Sequence, residues 1–217
     1  MQVDQARRVK PPPGLSCWDG QSVETLKEAL SPPATTCVEA DLIEECDCGD
    51  VIIEQRAPGQ LTLIVTTRSA YRHSIVKAFI AAIERRTAFS EDLRDRIYSS
   101  AQEALMNAVF HGNLRIDPNL RDSLEGLLAA QEAIEAKLTS PEVARAKIRV
   151  VAIWNATTLN VVVQDSGKGY DAAVPSNRKS RQPGDHASGR GLDILEAFSD
   201  KVTVSNGGTT VSLEFRR

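Results

Sequence analysis

The chain has 217 residues, 41% of them hydrophobic and 25% charged, with 26 Lys and Arg against 29 Asp and Glu and a formal net charge of -3. With no basic tract, it lacks the electrostatic footprint by which a nucleic-acid binder displaces counterions from phosphates. No apolar run approaches the roughly 18 to 20 residues that cross a bilayer, and the opening MQVDQARRVKPPPG has no secretory apolar core, so a cytoplasmic protein is expected, without a membrane or direct nucleic-acid partner.

Composition divides the chain near residue 58. Pro11, Pro12, Pro13, Pro32, Pro33 and Pro58 all fall before residue 60, and each restricts its own and its neighbour's backbone away from helix. Residues 1–57 therefore read as an N-terminal proline-rich and acidic extension, a poor candidate for a compact core. It ends in VEADLIEECDCGDVIIE, with seven carboxylates and no basic residue. That stretch is either a solvated, partly extended segment or a docking surface for a basic partner. Cys17, Cys37, Cys46 and Cys48 also lie here, and the single residue between the last two differs from common structural zinc pairs, so free thiols are expected.

From residue 61 the pattern becomes regular. LTLIVTT reads as a strand rich in β-branched residues. Tyr71, Ile75, Phe79 and Ile83 recur every four residues and predict one amphipathic helix ending near Arg86. Ser90 can cap a second helix, with Glu91 and Asp92 complementing its dipole and Gly112 as a stop. Helical spacing resumes through Leu120, Leu124, Leu127, Leu128, Ile134 and Leu138 and ends at Ser140-Pro141. KIRVVAIW and TTLNVVVQD predict an antiparallel hairpin, followed by a glycine-rich, polar, basic loop. LDILEAFSD predicts a short helix with Leu192, Leu195 and Phe198 on one face. KVTVS and TTVSLEF close the chain as a hairpin around Asn206-Gly207-Gly208, a turn that permits positive φ.

Three separated clusters carry chemistry. Glu103, Asn107 and His111 stand four residues apart on the second long helix, which predicts one shared face. A carboxylate and an amide one turn apart can orient a nucleophile and complete a magnesium shell, or can be plain exposed polar positions. Asp165-Ser-Gly167-Lys-Gly169 follows a strand, where an acid can accept from an exocyclic amine and glycines let the backbone pass close to a flat base. The same residues also make an ordinary turn. Ser188-Gly189-Arg190-Gly191 precedes the last helix, where free amides can face a phosphate. Neither a Walker loop nor a Rossmann fingerprint is present.

The order and context of these clusters, ExxxN on a helix, DxGxG after a hairpin, GxG opening a helix, then Gly208-Thr209-Thr210, resembles the GHKL ATPase superfamily. EALMNAVFHGN, the short length and the lack of a histidine-phosphotransfer helix pair look most like its anti-sigma-factor serine/threonine kinases. The resemblance implies an α/β (α+β) Bergerat-type two-layer sandwich over residues 58–217, with a mixed, mostly antiparallel sheet and helices on one face. It also implies an ATP lid at 171–188, and against it residues 114–146 read as a helical insertion. ATP and Mg²⁺ are the implied cofactors. By motif, Glu103 matches the general base, Asn107 the magnesium ligand, and Asp165 the acid that recognises the adenine amine. Gly167 and Gly169 match the adenine pocket, Gly189, Arg190 and Gly191 the phosphate-binding turn, and Thr209 a threonine assisting at the adenine. His111 reads as mainly structural. The implied partners are an anti-anti-sigma antagonist, the phosphoacceptor, and a sigma factor.

Departures from the pattern are Phe110, where many members are basic or polar, and the length of 114–146, which is either a dimerisation or partner helix or an extra packing helix. With Phe110 apolar, charge neutralisation would fall to Lys168 or to Arg178, Lys179, Arg181 and Arg190. Two other readings stay open. One is a non-catalytic ATP-dependent binding module that sequesters a regulator; the other is a detached histidine-kinase catalytic domain with His73 as phosphoacceptor.

Overall fold

A computed structural model describes residues 13–43, 59–117, 124–169 and 190–217. Their strands form a seven-stranded sheet in the order β1-β2-β3-β4-β5-β7-β6. β1 (Leu15–Trp18), β2 (Thr36–Glu39) and β3 (Gln60–Thr66) run parallel. β4 (Lys147–Trp154), β5 (Thr158–Asp165), β7 (Thr210–Arg216) and β6 (Lys201–Ser205) continue from β3 with antiparallel neighbours throughout. Alternate residues along these strands, Leu61, Leu63 and Val65, then Ile148, Val150 and Ala152, then Leu159, Val161 and Val163, are buried in the main core. That is the period expected when one face of a sheet receives the helical layer. The architecture is the mixed, mostly antiparallel α/β sandwich expected from the motifs.

The N-terminal residues correct the sequence expectation. β1, α1 (Val23–Ala29) and β2 are part of the sheet, and Trp18, Leu26, Leu30 and Cys37 belong to the main core. Pro32 and Pro33 fall between α1 and β2, so they punctuate a βαβ unit and do not abolish it. Ser22 caps α1 by accepting from Thr25 N at 3.1 Å, and Ser16 Oγ on β1 donates to Ala29 O at 2.6 Å. The acidic stretch is also not wholly solvated. Glu39 is buried, while residues 44–58, including Cys46 and Cys48, lie outside the described residues. Cys17 and Cys37 are free thiols, and burial pushes the Cys37 thiol up to about 11.

The helix predicted through Tyr71 and Ile83 is two helices, α2 (Thr67–Arg72) and α3 (Ile75–Glu84). The chain becomes extended at His73, with φ -116° and ψ 153°. There His73 Nε2 lies 3.2 Å from Gly20 O, and its ring meets Trp18 edge-on with centroids 5.5 Å apart. Contacts to the N-terminal unit therefore override a periodicity that spans the break.

α4 (Glu91–Asn107) follows its sequence signals: Ser90 Oγ accepts from Leu93 N at 3.2 Å, and Leu93, Ile97, Ala101, Ala104 and Leu105 are buried. Beyond Asn107 the backbone widens into a π-helical turn over Ala108–Asn113, where Leu114 N donates to Val109 O at 2.9 Å. Within the expected insertion, α5 (Leu124–Leu138) buries Ala130, Ile134 and Leu138 and exposes Leu127 and Leu128. Arg68 of α2 donates to Leu138 O at 2.8 Å. A short α6 (Pro141–Arg145), unanticipated in the sequence, leads into β4. α7 (Arg190–Phe198) buries Leu195 but leaves Phe198 39% exposed, contrary to the apolar face expected. In the β6–β7 turn, Asn206, Gly207 and Gly208 all adopt positive φ, as anticipated.

Candidate nucleotide-binding site

The three sequence clusters meet at one end of the sheet. A Cβ placed on Gly191, in the first turn of α7, would lie 2.4 Å from Glu103 Oε1 and 3.2 Å from Asn107 Nδ2. The carboxylate and the amide of α4 thus face the N-terminal turn of a nine-residue helix, where backbone amides are free and the dipole favours negative charge. His111 does not continue the Glu103–Asn107 face as expected. The π turn inserts a wider step after Asn107, and His111 is exposed. π turns of this kind recur where a helix is adapted to a site.

Asp165 ends β5 beside the π turn. A Cβ on Gly112 would come within 2.5 Å of the Asp165 carboxyl carbon, and one on Gly167 within 2.4 Å of Gly112 O. Gly167 N donates to Asp165 Oδ1 at 2.7 Å. Burial holds the Asp165 carboxyl above the ordinary carboxylate range, against the opposing pull of the Gly167 amide. Gly169 has φ +69°, and a Cβ there would meet Gly207 O at 2.0 Å and Thr209 Cγ2 at 3.1 Å. Thr209 closes the arrangement: its carbonyl accepts from Asp165 N at 3.0 Å, and its hydroxyl donates to Asn206 O at 3.0 Å. The glycines at 112, 167, 169 and 191 are therefore places where a side chain would collide with a neighbouring motif residue, so only glycine lets these segments pack this closely.

Glu103, Asn107, Asp165, Gly167, Gly169, Gly191 and Thr209 are brought together. Gly189, residues 171–188 with Arg178, Lys179 and Arg181, and the side chain of Arg190 lie outside the described residues. Lys168 is exposed. Phe110 packs edge-on against Tyr71, with centroids 6.0 Å apart, which gives the departure at this position a packing role.

Sequence reasoning missed Asn113. It ends the π turn and accepts from Ser166 N at 3.0 Å while donating to Thr67 Oγ1 at 2.7 Å and Lys147 O at 3.3 Å. The quoted run EALMNAVFHGN contains it, but no helical spacing links it to Glu103, because the π turn lies between.

The profile of the histidine kinase-like ATPase domain matches residues 66–215, and the chain belongs to this family, within the GHKL superfamily. No match was found among curated proteins. Domains of this family bind ATP, usually with Mg²⁺, and glycines 112, 167, 169 and 191 let the motif residues of α4, β5 and α7 approach one another closely. Among the described residues no helix is long and apolar enough to cross a membrane, and no cluster of His, Cys, Asp and Glu could hold a metal by itself.

Proposed function

We propose that the chain is a serine/threonine kinase of the anti-sigma-factor type, which transfers the γ-phosphoryl group of ATP to a hydroxyl on an antagonist protein. The observation that carries this reading is Glu103. Its carboxylate reaches to within contact of Gly191 at the head of α7, one helical turn from Asn107. A module that only bound nucleotide would need the adenine loop and the helix N-terminus but no carboxylate at that point.

In this reading Asp165 accepts from the adenine amine, Gly167 and Gly169 let the base lie against the backbone, and the amides at Gly189, Arg190 and Gly191 hold phosphate oxygens. Asn107 is the side-chain ligand for Mg²⁺, which when bound offsets charge on the β- and γ-phosphates. Glu103 orients the acceptor hydroxyl and takes its proton. The hydroxyl oxygen bonds to the γ-phosphorus as the bond to the β–γ bridging oxygen breaks, and ADP leaves with that electron pair. Thr209 holds the floor of the base pocket through its carbonyl bond to Asp165 N. His73 is engaged by Gly20 O and the Trp18 ring, which disfavours it as a phosphoacceptor.

The test is Glu103→Gln, with binding and transfer measured separately. ATP affinity within about threefold of wild type, with acid-stable phosphate transfer to a captured partner lowered about 10²-fold or more, supports the kinase. Unchanged transfer, or no transfer by the wild type, overturns it.

A further inference from the structure

The family profile begins at Thr66, yet two sets of polar contacts, one on Thr66 from the N-terminal βαβ unit and one on Thr67 from the adenine loop, meet at adjacent residues. Glu39, at the end of β2, is buried. Its Oε2 accepts from Thr66 N at 2.7 Å, and its Oε1 accepts from Thr66 Oγ1 at 3.1 Å and Ser69 Oγ at 2.7 Å. It thereby fixes the first turn of α2, which Thr66 also caps by accepting from Ser69 N. The next residue, Thr67, is fully buried. Its hydroxyl donates to Ala146 O at 2.8 Å and accepts from Asn113 Nδ2. Asn113 then accepts from Ser166 N, the peptide immediately after Asp165, and Ser166 Oγ donates to Lys147 O at 3.0 Å.

We infer that Asn113 is a positioning residue for base recognition, and that Glu39 acts through it to bring the N-terminal unit into the nucleotide site. This rests on the nucleotide reading above. Asn113 is suited to the task because its amide donates and accepts at once, tying the end of the π turn to both α2 and the adenine loop. Polar networks hold one geometry when every member is satisfied and lose it when one is removed; here the Glu39 end is buried and the Asn113–Ser166 end reaches the surface. The Asp165 carboxylate can accept from the amine of adenine, whereas guanine presents a carbonyl oxygen at that edge and is repelled. The discrimination holds only while the Asp165–Gly167 turn stays where Asn113 places it. Adjacent contacts alone do not establish coupling, so a double-mutant cycle is the deciding measurement.

The experiment uses the full chain and compares dissociation constants for ATP and GTP in the wild type, Asn113→Ala, Glu39→Gln and the double variant. Asn155→Ala serves as a control. Asn155 Oδ1 accepts from Thr157 N and Thr158 N at the opposite end of the same β4–β5 hairpin, so its loss weakens the fold without touching Ser166. Asn113→Ala is expected to weaken ATP binding about tenfold and to shrink the ATP-to-GTP ratio by a similar factor. Glu39→Gln is expected to act in the same direction and to add little once Asn113 is gone. Should Glu39→Gln not fold, Ser69→Ala severs one of the same bonds with a smaller change. Normal ATP binding by Asn113→Ala, or an equal loss of discrimination in Asn155→Ala, overturns the inference. Fully additive effects of Glu39→Gln and Asn113→Ala overturn the role of the N-terminal unit. A wild type that binds neither nucleotide overturns the nucleotide reading itself, an outcome distinct from a wild type that binds ATP beside an unaffected Asn113→Ala.

Discussion

Two glycines of the site separate folding from chemistry. Gly169→Ala places a methyl group against the backbone oxygen of Gly207 in a residue with φ +69°, and neither group can yield cheaply. A loss of about 1–3 kcal/mol in unfolding free energy is expected, measurable by urea titration. Gly191→Ala meets the far ends of two side chains, Glu103 Oε1 at 2.4 Å and Asn107 Nδ2 at 3.2 Å, and sits in a helix, where alanine is favoured over glycine by about 1 kcal/mol. The thermal midpoint should hold or rise while ATP turnover falls about tenfold or more, because the carboxylate must move aside. Asp165 adds a pH signature. Its folded pKa is raised by burial, so the ionised form is disfavoured in the fold, and the ligand-free protein regains that contribution as pH falls through the raised value. Nucleotide affinity should move the opposite way, lost over the same window as the carboxylate protonates and can no longer accept from the amine. Asp165→Asn should abolish both trends, as followed by calorimetric titration against pH.

At the scale of elements, an arginine of α4 ties down the C-terminal end of α7. Arg96 donates to Phe198 O at 3.2 Å and to Asp200 Oδ2 at 3.1 Å. Asp200 also accepts from Arg216 N at 2.8 Å, and that amide, followed by Arg96, holds its carboxyl below the ordinary range. This contribution is present above the unfolded pKa and is lost as pH falls below it, a sign opposite to that of Asp165. Arg96→Ala should loosen the C-terminal end of α7 and weaken ATP binding severalfold, with faster amide exchange confined to residues 190–200. The elements whose signals are local were legible in the sequence: the Ser90 cap of α4, the alternation in β4 and β5, and the positive-φ turn at Asn206-Gly207. Those decided by distant partners were not. The break at His73 is fixed by Trp18 and Gly20, and the π turn is fixed where Asn113 reaches Ser166 and Thr67, neither of which is encoded in helical period. In the site, motif order located Glu103, Asn107 and Asp165, whereas Asn113 and Glu39 stayed hidden because their partners lie 53 and 27 residues away.

For the molecule as a whole, the N-terminal unit is structural as well as positional. Leu26 and Trp18 are buried, and Trp18 Nε1 donates to both Ser22 O and Thr25 Oγ1 at 3.0 Å. Leu26→Ala should cost about 2–5 kcal/mol, read from denaturant midpoints, and should lower the single transition of the whole chain. A separate early transition would instead mark the unit as independent.

The seam in the sheet also bears on how the protein is made. β3 pairs on one side with β2, 26 positions earlier, but on the other side Thr66 meets Lys147 and Gln60 meets Ile153, 81 and 93 positions later. At about 5–20 residues per second, the antiparallel edge of the apolar strand QLTLIVT stays unpaired for several seconds during synthesis. A nascent chain paused before β4 should be a chaperone client and prone to aggregation. Its release from that state should coincide with emergence of β4 from the ribosome.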